Sequence, residues 1–436
     1  MTPRAGAPAV LSLALPALVV LAAEPLYLLV DTAVVGNLGT VPLGGLAVGG
    51  GLLAWAAALL NFLAYGTTAR AARRAGAGDR EGAVAEGVQA TWLALALGLG
   101  VVVLFLVLAG PLTRLLAGGA GAVAEAGEQW LRVAGLGAPL LLVSLAGNGW
   151  LRGVQELRRP VRYVVAGSLV SLVLCPLLVH PAGLGLVGSA IANVAGQALT
   201  AGLFIRALVR EGAAWRPRPA ALRTQLVIGR DLLLRAAVLQ LSFLVAAGVA
   251  ARAGTAALGA HQIALQLFFF LGLVLDAYAI AAQTLVGQAL GAARPDAARA
   301  TARRVTLWGL GTGVGVAAAL LALRPVVLPL FTDDPAVVAQ ATVAWWFLAA
   351  MQPLAGVVFA LDGVLMGAGD VGYLRTVTIG AALVGFDPLS LLAVPLGWGL
   401  AGVWTGLTLF IALRLVGVLA RVAGDRWLQA PETVTA

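Results

Sequence analysis

The sequence predicts an all-α polytopic membrane protein with twelve transmembrane helices in two six-helix lobes, related by a pseudo-twofold axis along the membrane normal. Three observations carry this. Of 436 residues, 61% are apolar and 11% charged, against about a quarter charged in an ordinary soluble domain. Continuous apolar runs of roughly 20 residues, the length that spans a bilayer as a helix, recur along the whole chain. The two halves also share one spaced pattern of glycines and acids. Runs that are continuous rather than alternating exclude a transmembrane β-barrel. The apolar excess excludes a disordered chain and does not fit a soluble globular enzyme.

Hydropathy and breaker residues place the spans at 9–35, 43–71, 84–109, 125–151, 161–180, 185–209, 228–251, 258–290, 299–323, 336–366, 373–395 and 398–422. The polar stretch 210–227, with Arg216-Pro217-Arg218-Pro219, reads as a cytoplasmic linker. It joins an N-lobe at 1–209 (helices 1–6) to a C-lobe at 228–436 (helices 7–12), which ends in a short tail. Arg4, an apolar run and Leu21-Ala22-Ala23 have the outline of a secretion leader. The stretch reads as span 1 instead, because it stays apolar past Glu24 to Val35 and has a repeat partner in span 7.

The repeat runs at one register. Gly39-Thr40 and Leu43-Gly44 return 215 residues later as Gly254-Thr255 and Leu258-Gly259. Gly76-Ala77 with Glu81 returns as Gly291-Ala292 with Asp296. Gly149, Gly153 and Glu156 return 214 residues later as Gly363, Gly367 and Asp370, and the run at 183–188 returns at 397–402. Six spans per half is an even number, so both halves insert the same way up.

Charge supports this topology. With both termini cytoplasmic, 24 of the 28 basic residues, all arginine, lie on the cytoplasmic side. Only Arg114, Arg132, Arg252 and Arg324 lie outside, as the positive-inside rule requires. The net charge of +9 therefore needs no nucleic acid. One cysteine, Cys175, permits no internal disulfide and builds no cysteine metal site. The tryptophans Trp150, Trp215, Trp345, Trp346 and Trp427 are expected to anchor the membrane interfaces.

Five acids lie at least four residues inside a span: Glu24, Asp31, Asp276, Asp362 and Asp387. A carboxylate at bilayer depth is costly and faces a cavity or a partner. Glu24, Tyr27 and Asp31 share one helix face and would line one wall of a cavity. A desolvated acid there can exchange protons in the physiological range. Pro16 and Pro25 each remove a backbone hydrogen bond from the same helix, which makes it a candidate moving part. Asn148, Ser171, Cys175 and Asn193 are polar or soft groups in spans 4 to 6, and His261 opens span 8 beside Gln262 and Gln266. The sequence has no histidine cluster, nucleophile elbow, phosphate loop or metal-ligand spacing.

The stretch from Leu13-Ala14-Leu15-Pro16 through Glu24-Pro25-Leu26-Tyr27-Leu28-Leu29-Val30-Asp31-Thr32-Ala33-Val34-Val35-Gly36 resembles the first helix of multidrug and toxic compound extrusion (MATE) transporters, DinF branch. Ala260-His261-Gln262-Ile263-Ala264-Leu265-Gln266 is similar to the family's eighth helix. The turns at Leu151-Arg152-Gly153 and Met366-Gly367-Ala368-Gly369-Asp370 resemble the family too. The resemblance covers the whole chain. It implies a monomeric antiporter of a bacterial inner membrane, without cofactor or bound metal, that exports amphipathic, cationic compounds. It further implies that Asp31 is the coupling acid, with Glu24 beside it, and that helix 1 bends near Pro16. The implied pocket holds Glu24, Asp31, Asn148, Ser171, Cys175 and Asn193; helical spacing adds Tyr27, and as buried polar groups Asp276, Asp362 and His261 are candidates in the other half. The chain departs from the family where relatives often carry an Asn–Asp pair before a proline. Ser171-Leu172-Val173-Leu174-Cys175-Pro176 holds Ser and Cys there. A thiol is a poor ligand for sodium, so the proton is the expected coupling ion, with sodium the alternative. Whether Glu24 replaces the missing acid stays open.

Three other readings fit the sequence less well. A lipid-linked glycan flippase would need arginines lining its spans. An intramembrane enzyme would need a nucleophile or a His–acid pair, and neither His180 nor His261 has an acid at helical spacing. A passive scaffold does not need buried acids.

Overall fold

A computed structural model describes residues 7–212 and 214–429; the side chains of residues 7–13, Glu24 and Pro25 lie outside that description. Among the described residues the chain forms fifteen α-helices and no strand. They are α1 (Ala7–Gly36), α2 (Thr40–Leu60), α3 (Phe62–Gly76), α4 (Arg80–Leu116), α5 (Ala122–Gly135), α6 (Ala138–Gly153), α7 (Arg158–Val179) and α8 (Gly185–Arg210), then α9 (Pro219–Arg252), α10 (Thr255–Gly291), α11 (Pro295–Val327), α12 (Pro335–Ala368), α13 (Val371–Ala381), α14 (Asp387–Leu392) and α15 (Gly399–Ala423).

These helices resolve into the twelve expected spans. Eleven stretches are long and apolar enough to cross a membrane, and the bent pair α5–α6 makes the twelfth. The bend is 52°. Its cause is local: Pro139 stands in the first turn of α6 and has no N–H to continue the ladder of α5. α2 and α3 together make one span, and α13 with α14 another.

Residues 15–229 form one compact unit, and residues 230–429 with the start of α1 (7–14) form the other. The same close approaches recur within each. In the first, a Cβ at Gly149 would strike Ala64 of α3, and one at Gly153 would strike Thr68. In the second, Gly363 meets Ala279 of α10, and Gly367 meets Gln283, so the partners shift by 215 residues and the glycines by 214. Without lipid-excluded water to drive helices together, small residues let backbones touch, and dispersion does the rest. The turns repeat as well. Gly39 and Gly254 have φ of 116° and 119°, Gly183 and Gly397 67° and 66°, and Gly185 and Gly399 52° and 53°.

Trp150, Trp345 and Trp427 are fully buried, not interface anchors as the sequence suggested. Trp150 packs with Phe204 and Leu208 in the first unit. Trp345 donates to the Leu320 carbonyl at 2.9 Å in the second. Alanine- and glycine-rich helices leave gaps that a large ring fills. Trp346 is exposed, as an anchor would be.

Several arginines near helix ends find specific partners. Arg70 pairs with Glu86 inside the first unit. Arg80 and Arg159 reach Glu211 at 2.6 and 3.5 Å. The Arg80 hydrogen bond holds the Glu211 carboxyl below the usual glutamate range. The linker is strapped to the same unit. The Gln89 amide donates to the Arg216 carbonyl at 2.8 Å, and the Arg218 N–H donates to Gln89 Oε1 at 2.7 Å.

Candidate ion-coupling and substrate site

The site in the first unit starts from a close helix pair. α8 carries Gly188, Ala192, Gly196 and Thr200 at intervals of four, one stripe of small residues on one face. Opposite it, α7 presents Gly167, Ser171 and Cys175. A Cβ on Gly196 would strike Ser171 and Gly167, so the pair interlocks. The Ser171 hydroxyl donates to the Ala192 carbonyl at 3.0 Å and ties the two helices. α1 lies on this platform. Its Val34, with Leu38 in the turn that follows, packs against Cys175, Val179 and Ala192.

That docking buries Asp31 completely. The Cys175 thiol donates to Asp31 Oδ1 at 3.1 Å. The second oxygen, Oδ2, completes no hydrogen bond, although the Ser189 hydroxyl of α8 lies beside the carboxylate. Ser189 itself accepts from the indole N–H of Trp130 at 3.2 Å. Tyr27, one turn before Asp31, is buried with its hydroxyl facing Asn193. The Gln197 amide donates to Asn193 Oδ1 at 2.8 Å. The result is a buried carboxylate ringed by a thiol, a phenol, a hydroxyl and an amide. Such a group can take a proton or the positive end of a ligand, because its own helices leave half its acceptor capacity unused.

The expected residues separate as follows. Tyr27, Asp31, Cys175 and Asn193 come together, and Ser171 stands one turn along from Cys175. Asn148 on α6 is buried with Oδ1 unpartnered. α1 runs unbroken as a helix through Pro16 and Pro25; the side chains of Glu24 and Pro25 lie outside the described residues. The remaining candidates lie in the second unit. Asp362 pairs with both Arg235 and Arg414. Asp276 is half-buried on α10. His261 is buried, neither ring nitrogen makes a hydrogen bond, and its ring packs edge-on to Trp404 at 6.0 Å. Ser189 and Trp130 were missed. Ser189 was findable, because Ser189, Asn193 and Gln197 repeat at intervals of four on one face of α8.

Comparison with known proteins agrees with this architecture. The MatE family model matches residues 16–177 and 232–388. The chain is 33% identical over 428 residues to Protein DETOXIFICATION 44, chloroplastic, of Arabidopsis thaliana, covering 93% of this chain and 80% of that protein. It is 32% identical over 431 residues to DNA damage-inducible protein F of Escherichia coli K12, covering 94% and 90%. It is 28% identical over 449 residues to the probable multidrug resistance protein NorM of Pseudomonas aeruginosa, covering 94% and 88%. Among solved structures, a MATE protein in its bent conformation superposes with a TM-score of 0.88 at 23% identity, covering 95% of both chains. The eukaryotic MATE transporter AtDTX14 gives 0.85 at 18% identity, covering 98% and 97%. This chain is a multi-pass membrane protein of the MatE family, the multidrug and toxic compound extrusion transporters.

Proposed function

We propose that the protein exports amphipathic organic cations in exchange for protons, by alternating access, with Asp31 as the coupling carboxylate. The observation that carries this is the fully buried Asp31 with one oxygen unpartnered. A buried charge without a countercharge is costly unless it is neutralised by a proton or a cation. Those are the two species an antiporter of this kind exchanges. A relative named a probable multidrug resistance protein supports a drug-like substrate.

The scheme has four steps. Asp31, deprotonated, holds the cation by charge and apolar contact. A proton from outside neutralises the carboxylate and removes that attraction. α1 repacks about Pro16 and the cation leaves outward. The empty, protonated protein opens inward and releases its proton. The thiol on Oδ1 favours the proton over sodium, since sulfur is a poor sodium ligand. The protein would sit in a bacterial inner membrane with both termini cytoplasmic, as the arginine distribution favours. A flippase for anionic lipid-linked glycans would need unpaired arginines in the spans, whereas Arg70, Arg235 and Arg414 are each paired with an acid.

The test is ethidium uptake into everted vesicles or proteoliposomes under a pH gradient or a sodium gradient, imposed separately. Wild type should respond to the pH gradient, and Asp31→Asn should insert normally yet lose coupled uptake. Wild-type gradient dependence in the mutant would sink Asp31 as the carrier. Sodium-driven uptake would overturn the ion.

A further inference from the structure

The first unit holds a cavity of about 340 Å³ that shares no residue with the Asp31 group. It lies where the turn between α3 and α4, the end of α6, the start of α7 and the end of α8 meet. Buried apolar side chains wall it, among them Ala83 of α4 with Trp150 and Leu151 of α6. Its rim is charged and carries Arg80, Glu156, Arg159 and Glu211.

The donors at this cavity are not used up. Trp150 is 1% exposed, and its indole N–H has no partner. Arg159 stands 3.5 Å from Glu211 and 3.7 Å from Glu156. A guanidinium in a full charge-assisted hydrogen bond sits at about 2.7–2.9 Å, so Arg159 is held loosely. α7 starts at Arg158 after Leu157, and no side chain caps its first turn. The N–H groups there carry the positive end of the helix dipole. A buried N–H, a loosely held guanidinium and an uncapped helix start are groups that bind a phosphate.

The acids set the other half of the ligand. Two guanidinium and two carboxylate groups leave the rim neutral. A lone anion would displace Glu211 from its arginines and leave that acid unpaired. A lone cation would strand the arginines in the same way. A zwitterion replaces both partners at once, so no charge is left over. Position narrows the choice further. α7 and α8 expose Leu169, Leu172, Leu199 and Val209, as helices facing lipid do. Val209 stands two residues before Glu211, which puts the rim at the edge of the hydrocarbon, where headgroups lie.

We propose that this cavity seats the headgroup of an aminophospholipid. Arg159, the first turn of α7 and the Trp150 N–H donate to the phosphate, and Glu156 and Glu211 accept from the primary ammonium. A choline headgroup has no N–H to give these acids, and a glycerol headgroup has no cation. Recognition therefore favours phosphatidylethanolamine over both.

The test is native mass spectrometry of the full-length protein in detergent, titrated with phosphatidylethanolamine, phosphatidylcholine or phosphatidylglycerol of identical chains. Phosphatidylethanolamine should bind at least about tenfold more tightly than either. Arg159→Gln should weaken that binding roughly 10- to 100-fold. Glu156→Gln together with Glu211→Gln should leave phosphatidylethanolamine no better than phosphatidylglycerol. Arg299→Gln, at a surface arginine of the second unit, should change nothing. Melting temperature without added lipid establishes that each variant is folded. If the double variant is not, Glu156→Gln alone should cut the preference at least about threefold. Equal binding of the three lipids, or a preference that survives the acid and arginine variants, overturns the proposal. Soluble glycerophosphoethanolamine binding as tightly as the lipid overturns the lipid as the source of the headgroup. None of these readouts needs transport, so they stand or fall apart from the export reading.

Discussion

Asp31 and Asp362 are both carboxylates buried within helices, and their neighbours give them different parts. Asp31 meets a thiol and neutral polar groups. Asp362 meets two guanidinium groups, one of them on the buried Arg414. An acid so paired is a structural tie, because removing it leaves buried positive charge uncompensated. We expect Asp362→Asn to cost about 3–5 kcal/mol of stability, read as a lower melting temperature in detergent. A wild-type melting temperature would return Asp362 to the list of pocket residues. This tie is not legible in the sequence, because Arg235 and Arg414 lie 127 and 52 residues from Asp362 along the chain. Tyr27 and Asp31 were legible for the opposite reason: their grouping is set by helical spacing, which needs no tertiary contact.

At the scale of elements, long apolar runs made the twelve spans readable, because a bilayer leaves a backbone no alternative to the helix. Irregularities inside the spans were less so. The bend between α5 and α6 and the widened π-type turn at Ala382–Phe386, just before Asp387 and Pro388, both arise at a proline. Several other prolines, such as Pro111 in α4 and Pro353 in α12, sit inside continuous helices. Whether a proline breaks or is absorbed depends on the neighbours that take up the freed carbonyl, and a single sequence does not list those. The repeat sharpens one expectation. Gly78 and its counterpart Ala293 both lie at positive φ, 77° and 54°. A left-handed alanine is strained by its own Cβ. Ala293→Gly should raise stability by about 0.5–1 kcal/mol after the entropic cost of glycine is subtracted. Thermal melting of the two proteins side by side checks this, and a fall would mean that the methyl has a packing role.

The whole molecule is built twice from one plan, and each half keeps the glycine contacts and turns of that plan while changing its polar residues. That is why the repeat could be read from glycines and the acids beside the turns, and not from the sites: glycine spacing is imposed by helix contact, whereas the acids inside the spans differ between the halves. One consequence concerns sulfur. The chain has a single cysteine, and its thiol is the donor to Asp31. A maleimide therefore has one target in 436 residues, and that target sits against the proposed coupling acid. Because Cys175 is fully buried, alkylation requires α1 to lift from α7. We expect labelling to be slow at rest, faster during turnover, and matched by a proportional loss of uptake. Full labelling with full uptake would place the thiol off the working path. The native protein thus comes with a built-in clock, in which each alkylated molecule records that its first helix has opened at least once.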